Sequence, residues 1–554
     1  MFYDDPRFLY VSIHRYEHGR EWPNLREGDY DFTGEGSGKG YNINVPLNEI
    51  GCDNSDYLAI MFNLLLPIFY QFDPELVLVS AGYDCAIGCP EGEMSVTPAC
   101  FAHFVNLLKP LAKGKLAIIL EGGYNMKSLA ESAALSLRAL LNDPTPAISP
   151  ITAPKHSVTE SVLNCIKVMH QHWPCLQYQD FVEPQKVKAE SYPYQGVLHL
   201  PPVKGVEFYT SQNRPEIFPL LQDCANDVNL QTQAYLNNLI EQLVQTTSLI
   251  VPRERLGFVY ENGISTAILH HLKTRETFSS CQQLQEPLRP SGTASDCIKV
   301  AMDSLTSNEV QCCLCCLHSD LQNLPLNGKP VNGNSYSEPS LVNLIKYQAK
   351  DTHPVNRILV IDLNPESPPN ELNSIESSSL LYVSVRVQDQ EAEDVVVSPR
   401  ALDIPLTQGI SAVDFLHLFL QVILPLAYEF CPELVVFKLN DLKLLTEYMS
   451  RACIGHLTQL LLGLAGGKML LLTKEVGQAD VFRPRPGPKS SEISSGASGS
   501  QDNGKKIAAD TACGDTGERE EGEIGAVLEL FEEWAEVVMG APCKELPAGP
   551  PSSR

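Results

Sequence analysis

Over the first 145 residues, short apolar runs alternate with longer blocks whose apolar positions recur at helical spacing. Leu9–Ile13 reads as a strand. The block YLAIMFNLLLPIFYQF from Tyr57 is too long for a strand and reads as a buried helix. Leu76–Val79, a short run with two valines, suits a strand covered on both faces. CFAHFVNLLKPLA from Cys100 has helical period, KLAIIL from Lys115 is the next strand, and SLAESAALSLRALLND from Ser128 is an amphipathic helix. This alternation predicts an α/β domain with a parallel sheet flanked by helices.

Proline and polar residues accumulate over 146–229, which reads as a linker with little core of its own and one helix around VTESVLNCIKVMHQHW. The α/β pattern resumes over 230–475. Residues 476–523 are rich in Ser, Gly and acids and read as disordered. Residues 524–540 form an amphipathic helix with Val527, Phe531, Trp534 and Val538 on one stripe, expected to pack on its own protein, and 541–554 are a tail. The most apolar stretch, FLHLFLQVILPLAYEF from Phe415, is short and holds Pro425 and Glu429, so no membrane-spanning segment is expected.

The chain repeats itself. LYVS occurs at Leu9 and Leu381, NVPL at Asn44 answers DIPL at Asp403, and LLPIFYQFDPELVLV from Leu65 answers ILPLAYEFCPELVVF from Ile423. The offset at the shared proline is 425 − 67 = 358, and between LAKGKLAIIL and LAGGKMLLL it is 468 − 115 = 353. Ordered blocks with a slowly drifting offset indicate a duplicated domain. Ahead of its LYVS the second copy has a further buried strand, RILVID at Arg357, for which the first copy has no room; the first copy therefore reads as lacking its front half, the expectation being a truncated sequence.

Composition narrows the partners. The formal net charge of -26 argues against direct nucleic-acid binding. Seventeen cysteines without a charged-then-apolar leader suit reduced thiols rather than a disulfide framework, so the expected location is the cytoplasm, with the nucleus as a second compartment.

Asp84 and Tyr124 each follow a buried strand by a few residues, in SAGYD and LEGGY. A single helix joins the two strands, so a right-handed crossover places them side by side, and loops at the carboxyl ends of parallel strands form the ligand crevice. A carboxylate can hold a metal and a phenol can donate to an oxyanion, with Gly122 and Gly123 allowing close backbone approach. Taken singly, an Asp that caps a helix and a Tyr that packs a loop are the simpler readings. The pair is stronger because the second copy keeps the strands and loses both groups, with Leu442 at the position of Asp84 and Gly477 at that of Tyr124.

LYVSIHRYEHG, SAGYD, PEGEM and LEGGYN together resemble the catalytic domain of the class IIb histone deacetylases, strongly over residues 1–145 and weakly over 230–475. The resemblance implies an arginase-like parallel α/β fold, here an incomplete first copy followed by a degenerate second. It also implies a zinc ion held by Asp, His and Asp that activates water to cleave an acetyl amide, with a His pair as acid and base. By motif, Asp84 matches a zinc ligand, Tyr124 the oxyanion tyrosine and Ser12 the serine of a structural potassium site. The remaining ligands and both histidines have no match in the chain, so it is expected to be inactive as it stands. The second copy has Asn364 and Glu366 at ligand positions, and Asp362 and Glu366 are expected to be dispensable for chemistry.

For substrate, the resemblance to the polyamine-deacetylating branch implies that Glu91 is a gatekeeper for a cationic amine and Trp22 a tunnel wall, with Gly122 also lining the substrate. A charge pair at 4 Å is worth roughly 4 kcal/mol at an effective dielectric near 20. Glu21 stands beside Trp22 where the family has an aromatic, which would make the mouth more acidic; Cys89 replaces an Asp ahead of PEG. His14 and His18 have the spacing of helical metal ligands and Cys312 opens CCLCC, but structural roles are expected for both. The implied substrate is an acetylated polyamine. A protein-lysine deacetylase and a non-catalytic scaffold that engages protein partners through the second copy are the rival readings.

Overall fold

The computed structural model describes residues 2–21, 24–181, 234, 238, 254–260, 294–317, 355–363, 379–388, 396–398, 400–407, 411–439, 451–474, 534, 536–538, 540 and 542–544. The first copy runs β1 (Tyr10–Arg15), β2 (Asn42–Leu47), α1 (Asn54–Ile60), α2 (Leu66–Phe72), β3 (Val77–Ala81), α3 (Pro98–Leu108), β4 (Leu116–Leu120), α4 (Met126–Leu140) and α5 (His156–Met169). The second runs β5 (Glu254–Tyr260), α6 (Ala294–Thr306), β6 (Val310–Leu317), β7 (Ile358–Leu363), β8 (Leu380–Gln388), β9 (Val396–Ser398), β10 (Ala401–Thr407), α7 (Ala412–Leu418), α8 (Leu424–Phe430), β11 (Leu434–Leu439), α9 (Arg451–Leu461) and β12 (Met469–Lys474).

The sequence repeat is a repeat of register. Ser12 pairs with Asn44 between β1 and β2, and Ser384 with Asp403 between β8 and β10, at the same step of a parallel ladder. Val77 pairs with Leu116 between β3 and β4, and Val435 with Met469 between β11 and β12, again equivalent residues. Both copies carry one long helix with a π turn in the middle, Met61–Leu65 in the first and Phe419–Ile423 in the second. Pro67 and Pro425 lie just beyond it. A proline offers no N–H to the carbonyl four residues back, and the ladder widens ahead of it. Each long helix starts in a capping box, Asp53 with Asp56 or Ser411 with Asp414, and stops on a left-handed residue, Asp73 or Cys431. The Ala412–Phe430 stretch is long and apolar enough to cross a membrane by composition, but Phe415, Phe419, Ile423 and Tyr428 bury it in the protein core.

The second copy forms one sheet in the order β5-β6-β12-β11-β7-β8-β10-β9, parallel except for β9. There β7 separates β11 from β8. In the first copy β1-β2 and β3-β4 are separate pairs, and among the described residues no strand joins them. The difference shows in burial: Leu78 is 62% and Ile119 52% exposed, whereas their counterparts Val436 and Leu472 are fully buried.

In the second copy the crevice end is filled from within. Lys438, the counterpart of Ser80, places its Nζ 2.6 Å from Asp362 Oδ2, which also accepts a 2.7 Å hydrogen bond from the Tyr382 hydroxyl. Arg386, the counterpart of His14, pairs with Asp403 at 2.6 Å, and Ser384 donates to the same carboxylate. Asp362 is dispensable for chemistry on the sequence reading, yet it anchors a buried ion pair whose loss would strand Lys438. Asn364, Glu366, Leu442 and Gly477 lie outside the described residues.

The two copies meet through equivalent residues. His103 Nδ1 lies 2.9 Å from the Tyr428 hydroxyl, and His456 Nδ1 lies 3.2 Å from the Tyr70 hydroxyl. Asn106 donates to the carbonyl of Gln459, whose side chain donates back to Asn106 at 2.8 Å. The separations match the sequence offsets: 456 − 103 and 459 − 106 are both 353, and 428 − 70 is 358. This is the exchange of contacts expected about a two-fold axis. Each histidine also contacts a main-chain carbonyl through Nε2, His103 that of Pro146 and His456 that of Lys544. A carbonyl can only accept, so both rings carry their proton on Nε2 and take a hydrogen bond from tyrosine at Nδ1.

Two boundaries differ from the sequence reading. Residues 146–177 belong to the first copy: Val158, Val162, Cys165, Ile166 and Met169 put one face of α5 into the core, and Trp173 Nε1 donates to Gly40 O. The proline-rich text conceals a helix whose apolar stripe is complete; the rest of the proposed linker, 182–229, lies outside the described residues. At the other end, Trp534, Val537 and Val538 are buried, so this helix packs on its own chain. Its following residue Lys544 serves His456 as Pro146, after α4, serves His103, which makes it the second copy's counterpart of α4. Val527 and Phe531 are outside the described residues.

Burial pushes the pKa of both interface histidines down to about 4, against which the main-chain acceptors act in the raising direction. The unfolded chain takes up these protons near pH 6.5 and the folded chain does not, so their contribution is present above that pH and is lost as pH falls toward 4. The upper bound is on the order of 3 kcal/mol for each ring. Tyr70→Phe and Tyr428→Phe should each cost about 1–3 kcal/mol by orphaning a ring nitrogen, and by similar amounts, measured as denaturant midpoints at pH 7. By the same measurement Val436→Asp should cost at least about 3 kcal/mol, whereas Leu78→Asp should stay within about 1 kcal/mol.

Candidate functional site

β3 and β4 are adjacent and parallel, so their carboxyl ends open on the same side. Glu121 N donates to Ala81 O at 3.0 Å and Tyr83 N to Gly122 O at 2.9 Å, which zips the two exiting loops together. Asp84 lies in the β3 loop between glycines. A Cβ on Gly82 would stand 2.8 Å from Asp84 Oδ1, and one on Gly122 3.5 Å from its Cγ. The Asp84 carboxylate accepts no hydrogen bond and forms no ion pair among the described residues. It is half-buried, backed by Cys85 and Tyr57; burial pushes the Cys85 thiol up to about 12, with the charge of Asp84 acting in the same direction.

Tyr124 stands two residues beyond Gly122 and is 57% exposed, with its phenol open to solvent at the crevice. Its neighbour Asn125 is buried and does two things. The side-chain oxygen caps α4 by accepting from Lys127 and Ser128, and Nδ2 donates to Gly88 O at 3.0 Å. The Tyr124 loop is thereby tied to the loop that carries Glu91. That loop turns back under Asp84 so tightly that a Cβ on Gly92 would lie 2.0 Å from the Asp84 carbonyl oxygen. Asp84, Gly122, Tyr124 and Glu91 thus stand on loops that these contacts tie to one another.

The other anticipated residues divide. Glu91 is exposed, and its carboxylate has no ion pair among the described residues. Trp22 lies outside the described residues. Ser12 sits inside β1 and bonds His14 Nδ1 at 2.9 Å, while His14 Nε2 bonds Gly28 O at 2.8 Å. Both nitrogens of His14 are used and His18 follows in a left-handed turn, so the HRYEHG pair is structural. Cys312, Cys313 and Cys315 are buried in β6, as expected of a core strand. Glu21 does not simply add charge at the mouth, because it lies 3.3 Å from Arg15. Cys89 is buried and starts a turn, with Glu93 N donating to Cys89 O at 3.2 Å.

Arg15 and Asn125 are the residues that sequence reasoning missed. Arg15 ends β1 and contacts Glu17, Glu21 and Glu93. Burial would lower the pKa of its guanidinium, but these carboxylates outweigh it and the net shift is upward. Arg15 stands in a quoted motif; its partners 76 and 78 positions away could not be read from spacing.

A catalytic zinc needs about three protein ligands, and the described residues do not supply them. Asp84 has the environment of a ligand, a carboxylate walled by glycines and facing no donor. Among the described residues, however, no three His, Cys, Asp or Glu side chains gather in a way that could hold a metal.

Residues 1–140 match the family model of the histone deacetylase domain. The polyamine deacetylase HDAC10 of Danio rerio is 33% identical over 480 residues, 85% of this chain and 64% of the relative. That of Homo sapiens is 33% identical over 479 residues, 86% of this chain and 64% of the relative. Histone deacetylase 6 of Caenorhabditis elegans is 28% identical over 550 residues, 85% and 56%. The chain therefore spans less than two-thirds of the length of these relatives. Among solved structures, the HDA15 HD domain matches 32% of this chain and 49% of its own at 35% identity, with a TM-score of 0.31, at which the overlay carries no argument.

With Asp84 as the one ligand matched by motif, the purified 554-residue chain should hold well under one zinc per molecule and release no acetate from acetylated amines. Elemental analysis and a discontinuous acetate assay check both; stoichiometric zinc with turnover would require ligands outside the described residues.

Proposed function

The chain belongs to the histone deacetylase family, similar to its class IIb polyamine deacetylases, and from that premise we propose that its first copy contributes one wall of an amide-hydrolysing site that takes acetylated polyamines. The observation that carries this reading is the set of linked loops. A glycine-walled carboxylate, an exposed phenol and an unpaired carboxylate stand on loops that are hydrogen-bonded to one another.

Each residue has a separable role. Asp84 is the proposed zinc ligand, and zinc, when bound in a complete site, supplies the Lewis acid that polarises an acetyl carbonyl and lowers the pKa of water. Tyr124 needs no metal for its part. Its hydroxyl donates to the oxygen that gains negative charge as the amide carbon becomes tetrahedral, stabilising the transition state more than the ground state. Glu91 acts on substrate choice: its carboxylate attracts the distal ammonium of a polyamine while the acetyl end lies near Asp84 and Tyr124. Because Glu91 is exposed, screening cuts this attraction well below its low-dielectric value, and it works by orientation more than by raw affinity. Ser12 is proposed to contribute to a monovalent-cation site, potassium being the ion the resemblance implies.

The test uses protein expressed from the full coding sequence and assayed on an acetylated polyamine and an acetyl-lysine peptide. Glu91→Leu should lower kcat/KM for the polyamine roughly tenfold and leave the peptide near its original value, narrowing the ratio. Tyr124→Phe should lower kcat on both by about 10²–10³. A substrate ratio unchanged in Glu91→Leu would instead favour a protein-lysine deacetylase.

A further inference from the structure

Around the end of β1 one cation meets three carboxylates and the backbone of a fourth acidic residue, and it does not treat them alike. Arg15 closes β1 with a side chain only 16% exposed, so its fork is largely withdrawn from water. Nε donates to Glu17, and the same guanidinium lies 3.3 Å from Glu21. Nη1 reaches across to the second loop, where it donates to Glu93 Oε1 at 3.1 Å and to the main-chain carbonyl of Glu91 at 3.0 Å. Glu91 is thus held by its backbone, and its carboxylate is left without an ion pair among the described residues.

Both arms of this clamp end on strained backbone. Glu17 has φ of 47° and Glu93 of 50°, left-handed values that a residue with a side chain adopts only when its surroundings hold it there. A bidentate-capable guanidinium suits this use, since its planar donors are preorganised and lose little freedom on bonding. A lysine would offer one point charge and could not span three carboxylates and a carbonyl together.

We propose that Arg15 is a positioning residue for substrate selection. It fixes the Glu91 loop to the end of β1 and engages Glu17, Glu21 and Glu93 in ion pairs, so that among these four glutamates a cationic ligand meets only the Glu91 carboxylate unpaired, at a set place. This rests on the reading of Glu91 as the group that meets the substrate ammonium. Without Arg15 the mouth would become more acidic overall and less discriminating, because attraction would be spread over several mobile carboxylates and would no longer orient the amine.

The experiment compares Arg15→Met, Arg15→Lys, Glu91→Gln and the Arg15→Met/Glu91→Gln pair, in protein from the full coding sequence. Amide hydrogen exchange over residues 89–93 is one readout and steady-state kinetics on an acetylated triamine and an acetyl-lysine peptide the other. Arg15→Met should speed exchange at 89–93 at least tenfold relative to α3 and raise KM for the triamine severalfold, with kcat within twofold. The double variant should match Glu91→Gln alone, because Arg15 acts through Glu91. Arg15→Lys should fall between, and it stands in should Arg15→Met fail to fold. Additive effects in the double variant, or an unchanged substrate ratio and unchanged exchange in both Arg15 variants, overturn the role of Arg15 while leaving Glu91 intact. If Glu91→Gln itself leaves the ratio unchanged, or neither substrate is turned over, the functional reading fails and the proposal with it.

Discussion

Two hydrogen bonds between histidine and tyrosine, one buried and one partly buried, exchanged between the copies, are the constraint on which the rest of this molecule depends. A tyrosine hydroxyl or an imidazole nitrogen withdrawn from water must find a partner or cost about 1–3 kcal/mol, and each of these groups finds its partner in the other copy. Neither copy can therefore drift or be lost without stranding polar atoms in the other. The reciprocal amide pair of Asn106 and Gln459 fixes the same alignment at a third point. A single apolar core continues from one copy into the other around these contacts. The second copy is thus part of what the first packs against.

The first copy's crevice is built by a different kind of constraint, local and steric. Asp84 is confined by Gly82 and Gly92, where a β-carbon would clash, and lies in contact range of Gly122, while its loop is pinned by Asn125 on one side and by the Arg15 clamp on the other. Among the residues held at positive φ are Glu17 and Glu93 at the two arms of that clamp, and Asp73 and Cys431 at the ends of the long helices. Strain of this sort persists only where surrounding contacts over-determine the backbone, which is why the positioning residues matter as much as the groups they position.

How far the sequence revealed this depends on the range of each interaction. The repeated phrases with offsets of 358 and 353 translate directly into equivalent ladder registers, because a slip by one residue would turn every side chain to the other face of the sheet. The adjacency of the strands that lead to Asp84 and Tyr124 was legible because strand, helix and strand in succession leave one handedness of crossover. The helix of residues 156–169 was legible as a helix but not as part of the core, since the surrounding prolines suggested a linker. The left-handed stops at Asp73 and Cys431 carried no signal, neither being glycine. Arg15 was invisible for a different reason: an arginine at the end of a strand is usually solvated, and only the folded chain brings Glu91 and Glu93 to it.

The centre of the second copy is closed by its own charges. At the ends of β7, β8 and β11 a site written for bound cations would leave Asp362 and Asp403 as buried negative charge. The chain supplies its own cations instead, Lys438 where the first copy has Ser80 and Arg386 where it has His14. A buried ion pair gains little over an apolar pair of the same size, since desolvation consumes most of the attraction. Its effect is on which alternatives are allowed. With Lys438 bonded to Asp362 and Tyr382 donating to the same oxygen, no space or free lone pair remains at that oxygen for an external ion. Replacing either charge alone strands the other, so the two must be retained together. The two buried ion pairs thus tie β7 to β11 and β8 to β10 from within the sheet.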